Sequence, residues 1–77
     1  MQFIEMNGKT LWKVIDHDDE MLTHEDLRAA GVDDESLVRV NRQGDIELRK
    51  KSQWDVIGGL LGNYEQRVRA ATEFDWA

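Results

Sequence analysis

A chain of 77 residues without cysteine has no disulfide and no thiolate, which excludes a thiol nucleophile and a cysteine-ligated metal. A domain this short buries only about 60% of its unfolded surface, so its expected core is a single layer of helices on a small sheet. Sixteen acidic against ten basic side chains give a net charge of −6, which opposes approach to phosphates, and no apolar run has the length of a membrane span or the form of a secretory signal.

The first element expected is a hairpin. Asn7-Gly8 stands between two strand-like runs and is a strong short-range signal for a two-residue type I′ turn. Counting outward pairs Met6 with Lys9, Ile4 with Leu11, Phe3 with Trp12 and Met1 with Val14, so Met1, Phe3, Trp12 and Val14 share the predicted core face. Ile4, Met6 and Leu11 fall on the other face among Gln2, Lys9 and Lys13, where they form a candidate contact surface.

A helix is predicted to start at Thr23. Thr23 caps, Asp26 answers it three residues on, and Leu22 can staple against Leu27. Gly31 stands where a helix ends through a left-handed residue, and Val32 supplies the apolar contact that follows such an end. So short a helix must lean on the sheet through Leu27, Ala30 and Met21.

Leu37 to Arg49 specifies a second hairpin. A two-residue loop at Gln43-Gly44 would pair Val40 with Glu47 and Val38 with Arg49, mixing apolar and charged groups on one face. A three-residue loop of Arg42, Gln43 and Gly44, with Gly44 left-handed, instead pairs Val40 with Ile46 and Val38 with Leu48, and sets Arg39 against Glu47 on the wet side.

Beyond Lys51, residues Ile57, Leu61, Tyr64, Val68 and Ala71 recur at helical spacing, with Phe74 extending the face. Gly58, Gly59 and Gly62 each weaken a helix by roughly 1 kcal/mol relative to alanine. The expectation is therefore a short helical turn around Trp54 to Leu61, capped by Ser52 with Asp55, and a firmer helix from Tyr64 to Thr72, capped by Asn63 with Gln66. Together with Val14, Leu27, Val38, Val40, Ile46, Leu48 and Val68, the predicted core contains Phe3, Trp12, Leu61 and Tyr64.

Charge is segregated along the chain. Nine carboxylates between Asp16 and Glu35 face only Arg28, whereas Arg39, Arg42, Arg49, Lys50 and Lys51 cluster on and after the second hairpin. The ligand-rich run Asp16, His17, Asp18, Glu20 and His24 does not fit a calcium loop, because Met21 stands where the turn needs glycine and Leu27 where a bidentate Glu is required. Its two histidines match no common zinc spacing. Catalysis would require Ser36, Ser52, His17 or His24 to meet in a pocket, and the two serines read more naturally as turn and cap residues. A helix-turn-helix lacks its recognition helix, since the residues after Gly31 are too few and too acidic.

Met1-Gln2-Phe3-Ile4 followed by Gly8-Lys9-Thr10 resembles the opening hairpin of the ubiquitin family. The resemblance covers only the start of the chain. Family members end in a strand and a diglycine tail, whereas Gly58-Gly59 here is internal and followed by a helical pattern, so conjugation is not implied.

The sequence thus predicts a single α+β domain over residues 1–77, of order β-β-α-β-β-α, with two hairpins and the helices packed on one face. The expected function is that of an acidic cytoplasmic interaction or regulatory module without enzymatic activity or cofactor, contacting a protein partner or a second copy through Ile4, Leu11 and Trp76 or through the acidic segment, and no membrane. The competing expectations are a nucleic-acid role for Arg39, Arg42 and Arg49 on the basic hairpin, and an acidic inhibitor that mimics nucleic acid.

Overall fold

The computed structural model describes residues 2–76. In chain order the elements are β1 (Phe3–Asn7), α1 (Gly8–Ile15), α2 (His24–Ala29), β2 (Leu37–Asn41), β3 (Asp45–Lys50), β4 (Gln53–Gly59) and α3 (Tyr64–Thr72). The strands form one antiparallel sheet in the order β1-β2-β3-β4. Its buried side chains, Ile4, Met6, Val38, Val40, Ile46 and Leu48, alternate along their strands and share one side. They meet Leu11, Val14 and Ile15 of α1, Leu27 of α2 and Val68 of α3 in one cluster. The α+β class with helices on one face is as expected, and the element order departs from expectation at two places.

The first departure is at Asn7-Gly8, which starts a helix. Asn7 is extended (φ −86°, ψ 169°) and its side chain accepts from the Thr10 N–H, the geometry of an N-cap. Gly8 N–H donates to the Ser36 carbonyl and Lys9 N–H to the Asp34 carbonyl, so three donors at the helix start are satisfied. With residues 8–15 helical, β1 pairs with β2 instead, placing Ile4 opposite Val40 and Met6 opposite Val38. Ile4 and Leu11 are therefore 0% exposed, core residues where a contact surface was expected, and Phe3 and Trp12 are only half-buried. The ubiquitin-like opening hairpin is likewise not formed. Met1 lies outside the described residues.

The middle of the chain follows the sequence closely. Thr23 and Asp26 form a reciprocal capping box on α2. Gly31, at φ +101°, donates to the Arg28 carbonyl while Val32 N–H reaches back to Leu27, the paired bonds of a left-handed helix end. Between β2 and β3, Arg42, Gln43 and Gly44 form the loop, and Val38 opposes Leu48, Arg39 opposes Glu47 and Val40 opposes Ile46.

The second departure is residues 53–59, which form a strand. Lys51 (φ +54°) and Ser52 make a two-residue turn, so Ser52 caps no helix and Trp54 lies opposite Arg49. The register shifts between Ile46 and Glu47, where Ile57 is the extra residue of β4. Leu22 packs over the strand end at Gly58, where an added Cβ would lie at ordinary contact distance, 3.7 Å, from its methyls. Leu61 lies 48% exposed in the following loop. Helix α3 has the predicted bounds, and Asn63 occupies its N-cap position without making the capping bond, because its side chain instead donates to Gln66 and accepts from Arg67.

Two long-range contacts close the structure. Glu20, whose side chain is fully buried, accepts from Arg67 at 3.1 Å and from the Leu61 N–H, and Arg67 also donates to the Val14 and Leu61 carbonyls. Trp76 is 4% exposed, donates its indole N–H to the Val40 carbonyl at 2.9 Å and meets Tyr64 edge-to-face. The tail thus packs back onto the sheet, and Trp76 belongs to the core where a partner-binding side chain was expected.

Candidate functional site

Because the helices occupy one side of the sheet, the other side is left uncovered. Strand alternation brings Phe3 and Glu5 of β1, Leu37 and Arg39 of β2, Glu47 and Arg49 of β3, and Trp54 and Val56 of β4 to this open face. Glu5, Arg39, Glu47 and Val56 form one continuous cross-strand row.

Arg39 organises the face. Its guanidinium carbon stands 3.7 Å from the centre of the Phe3 ring and 4.3 Å from the Trp54 ring, while its Nε and Nη2 both donate to Glu47 Oε1, at 3.0 and 2.7 Å. Arg49 follows at 5.5 Å from the same indole, so Phe3, Arg39, Trp54 and Arg49 alternate as ring, cation, ring, cation. Guanidinium groups are weakly hydrated and planar, and they stack on aromatic faces while still hydrogen-bonding in their own plane. The rings shield the ion pair, leaving the side chains of Arg39 and Glu47 23% and 13% exposed. The result is a stacked platform with a paired charge at its centre, edged by exposed Leu37 and Val56, 42% and 68% accessible.

The basic hairpin is not one cationic patch. Arg39 is neutralised by Glu47, and Lys50 pairs with Asp55 at 3.6 Å. Arg49 is exposed and has no carboxylate partner among the described residues. Arg42 lies at the opposite end of the hairpin, beside a cleft of about 450 Å³ lined also by Gln2, Phe3, Asn41, Gln43 and Trp76. Its carbonyl accepts from the Tyr64 hydroxyl at 2.7 Å. Desolvation, with the Glu65 and Asp45 carboxylates adding to it, pushes the Tyr64 hydroxyl above the usual phenol range.

His17 and His24 line a second, open cleft of about 410 Å³ between α1 and α2. His24 hydrogen-bonds Asp16 at 2.7 Å and stacks on Trp12, whose indole N–H donates to Asp34. Glu20 turns inward to Arg67, and among the described residues no three His, Asp or Glu are grouped to hold a metal ion. Neither serine reaches this cleft: Ser36 exchanges hydrogen bonds with Asp33 in the loop before β2, and Ser52 is in the β3–β4 turn. Residues 32–36 form that loop without a helix, so no recognition helix follows α2.

The pairing of Arg39 with Glu47 is as the sequence predicts. The aromatic side of the platform is not: Phe3, expected in the core, faces outward, and Trp54, expected in a helical turn, stands on a strand. The signal is present in the alternation of Trp54 and Val56 with Gln53 and Asp55, but Ile57 also opens the helical spacing that continues through Leu61, Tyr64 and Val68. No helix among the described residues is long and apolar enough to cross a membrane. No family model, curated protein or solved structure matches the chain.

Proposed function

We propose that this chain is a non-catalytic interaction module whose contact surface is the uncovered face of its sheet. The observation that supports this is the alternating stack of Phe3, Arg39, Trp54 and Arg49, which fixes aromatic and guanidinium groups at the surface before any partner arrives. Preorganised Trp and Arg side chains are the types that dominate binding energy at protein interfaces, because little rotamer freedom remains to be lost. Leu37 and Val56 add apolar area at the margin.

The test is capture of partners from source lysate by tagged protein, compared with Val56→Arg and with Met21→Glu. Both positions are strongly exposed, at 68% and 79%, and Met21 lies in the loop before α2, away from the open face. A partner retained by the Met21 variant and lost by the Val56 variant is the expected result. Equal capture by all three proteins would sink the assignment to this face.

A nucleic-acid role is the second reading, favoured by Arg49 beside Trp54 on an open sheet, since single strands bind through stacking rings and guanidinium groups. With Arg39 neutralised by Glu47, Arg49 is the one arginine of the face without a carboxylate partner among the described residues, too little to hold a phosphate backbone, which weighs against it. A labelled single strand titrated across a salt series is expected to show no binding at physiological ionic strength. Affinity that persists there would reverse the ranking.

A further inference from the structure

We infer that the partner segment is an extended acidic peptide that adds to the sheet along Gln53–Val56 of β4, an inference that rests on the open-face reading above. Strand β4 is the last in the sheet and pairs only with β3. The two-residue turn at Lys51-Ser52 makes Gln53 opposite Lys50 a hydrogen-bonded pair, so the N–H and C=O groups of Gln53 and Asp55 point to β3 and those of Trp54 and Val56 point outward. Among the described residues no backbone or side-chain hydrogen bond occupies the outward groups; the nearest loop bond, Leu60 N–H to the Gly44 carbonyl, lies beyond the strand.

Exposed edges are normally blunted by proline, by lysine and other charged side chains, or by a bulge. Gln53–Val56 has no proline or lysine, its one charge, Asp55, is neutralised by Lys50, and the irregularity at Ile57 comes only after it. The edge is thus open for a short stretch and closed beyond it, which sets the size of the occupant. An added strand would lay alternate side chains beside Trp54 and Val56 on the open face. Charge decides the chemistry of that strand: Arg49, next to Trp54, and Lys51, in the turn, have no carboxylate partner among the described residues, while the one carboxylate of the stretch, Asp55, is held by Lys50. Acidic side chains on the incoming segment complement the two unpaired cations.

Two other occupants fit less well. A second copy pairing through the same edge about Asp55 would set two carboxylates opposite each other, and a register about Val56 runs into the extra residue at Ile57. A nucleic acid offers no alternating donors and acceptors to match the strand.

The test uses a displayed library of random peptides selected on the full chain, followed by ¹⁵N amide exchange with the winning synthetic peptide. Selected sequences should alternate apolar and acidic residues. Arg49→Glu should weaken binding about tenfold or more, because it removes one charge contact and sets a carboxylate against the acidic peptide, and the bound peptide should slow exchange of the Trp54 and Val56 amides. Selection of neutral or basic sequences, or unchanged affinity in Arg49→Glu, would overturn the acidic assignment. Binding without protection of those two amides would overturn the edge geometry, as would protection that arises from self-association in sedimentation runs without peptide. If the edge fails while Val56→Arg still loses a lysate partner, the open face stands and only strand addition falls.

Discussion

The backbones of Gly8 and Asp33 touch: a Cβ added to Gly8 would lie 1.8 Å from the Asp33 carbonyl oxygen. Gly8 is the first residue of α1, and its N–H donates to Ser36 in the same loop. Helix propensity alone would make Gly8→Ala stabilising by up to about 1 kcal/mol. The contact reverses the sign, because the loop carrying Asp33 must move and lose its bonds to the helix start. The expected outcome is a loss of about 3 kcal/mol or more, read from the urea midpoint. A neutral or stabilising result would show that the loop yields freely.

Glu20 and Arg67 join the loop between α1 and α2 to α3, with side chains 0% and 9% exposed. Removing one partner leaves a buried charge uncompensated, at a cost of about 3–5 kcal/mol. Arg67→Met and Glu20→Gln should each approach that range, and the double variant should be more stable than the sum of the two losses implies. Additive single losses in the unfolding cycle would contradict a direct pair.

Tyr64 is the only tyrosine, so the tyrosinate absorbance of the folded protein reports it alone. Its hydroxyl is held above the ordinary value of 10.0 by desolvation first, then by Glu65 and Asp45. The folded state therefore keeps its proton where the unfolded chain releases it. This contribution to stability is complete below pH 10 and is lost as pH rises through the folded value. A spectrophotometric midpoint above that of the denatured chain is expected, and coincident midpoints would refute the shift.

Arg39→Lys should not behave as a conservative change. Lysine keeps the charge but cannot stack as a plane between Phe3 and Trp54 while donating from two nitrogens to Glu47. A loss of about 1–2 kcal/mol in thermal unfolding is expected, together with a changed indole ring-current shift at Phe3 or Arg49. Retained stability with unchanged shifts would mean that the stack contributes little.

Where the local sequence admitted one solution, it was sufficient. The β2–β3 register followed from Val38, Val40, Ile46 and Leu48, since the two-residue loop at Gln43-Gly44 puts charge on the apolar face. The capping box at Thr23 and the left-handed end at Gly31 are local bonds made by local residues. The bounds of α3 follow from the helical spacing of Tyr64, Val68 and Ala71, although the expected capping bond at Asn63 is not made. The open face was legible in part: Arg39 against Glu47 follows from register, but the rings above them come from β1, expected to pair with residues 9–14, and from β4, expected to be helical.

Tertiary structure decided the cases in which a local signal had two meanings. Asparagine followed by glycine suits a tight turn and an N-cap equally, and the choice fell to the cap because Gly8 fits against Asp33 and β1 finds its strand partner in β2. That pairing reversed which of Ile4 and Phe3 faces the helices, a consequence of the two-residue period of a strand. Trp54 to Gly59 could continue a helical spacing or alternate as a strand, and pairing with β3 supplied backbone bonds that a glycine-rich helix could not match. The sequence alone determined the Thr23 capping box, the helix end at Gly31 and the one hairpin register; long-range pairing determined which faces are inside, and with them the platform of Phe3, Arg39 and Trp54.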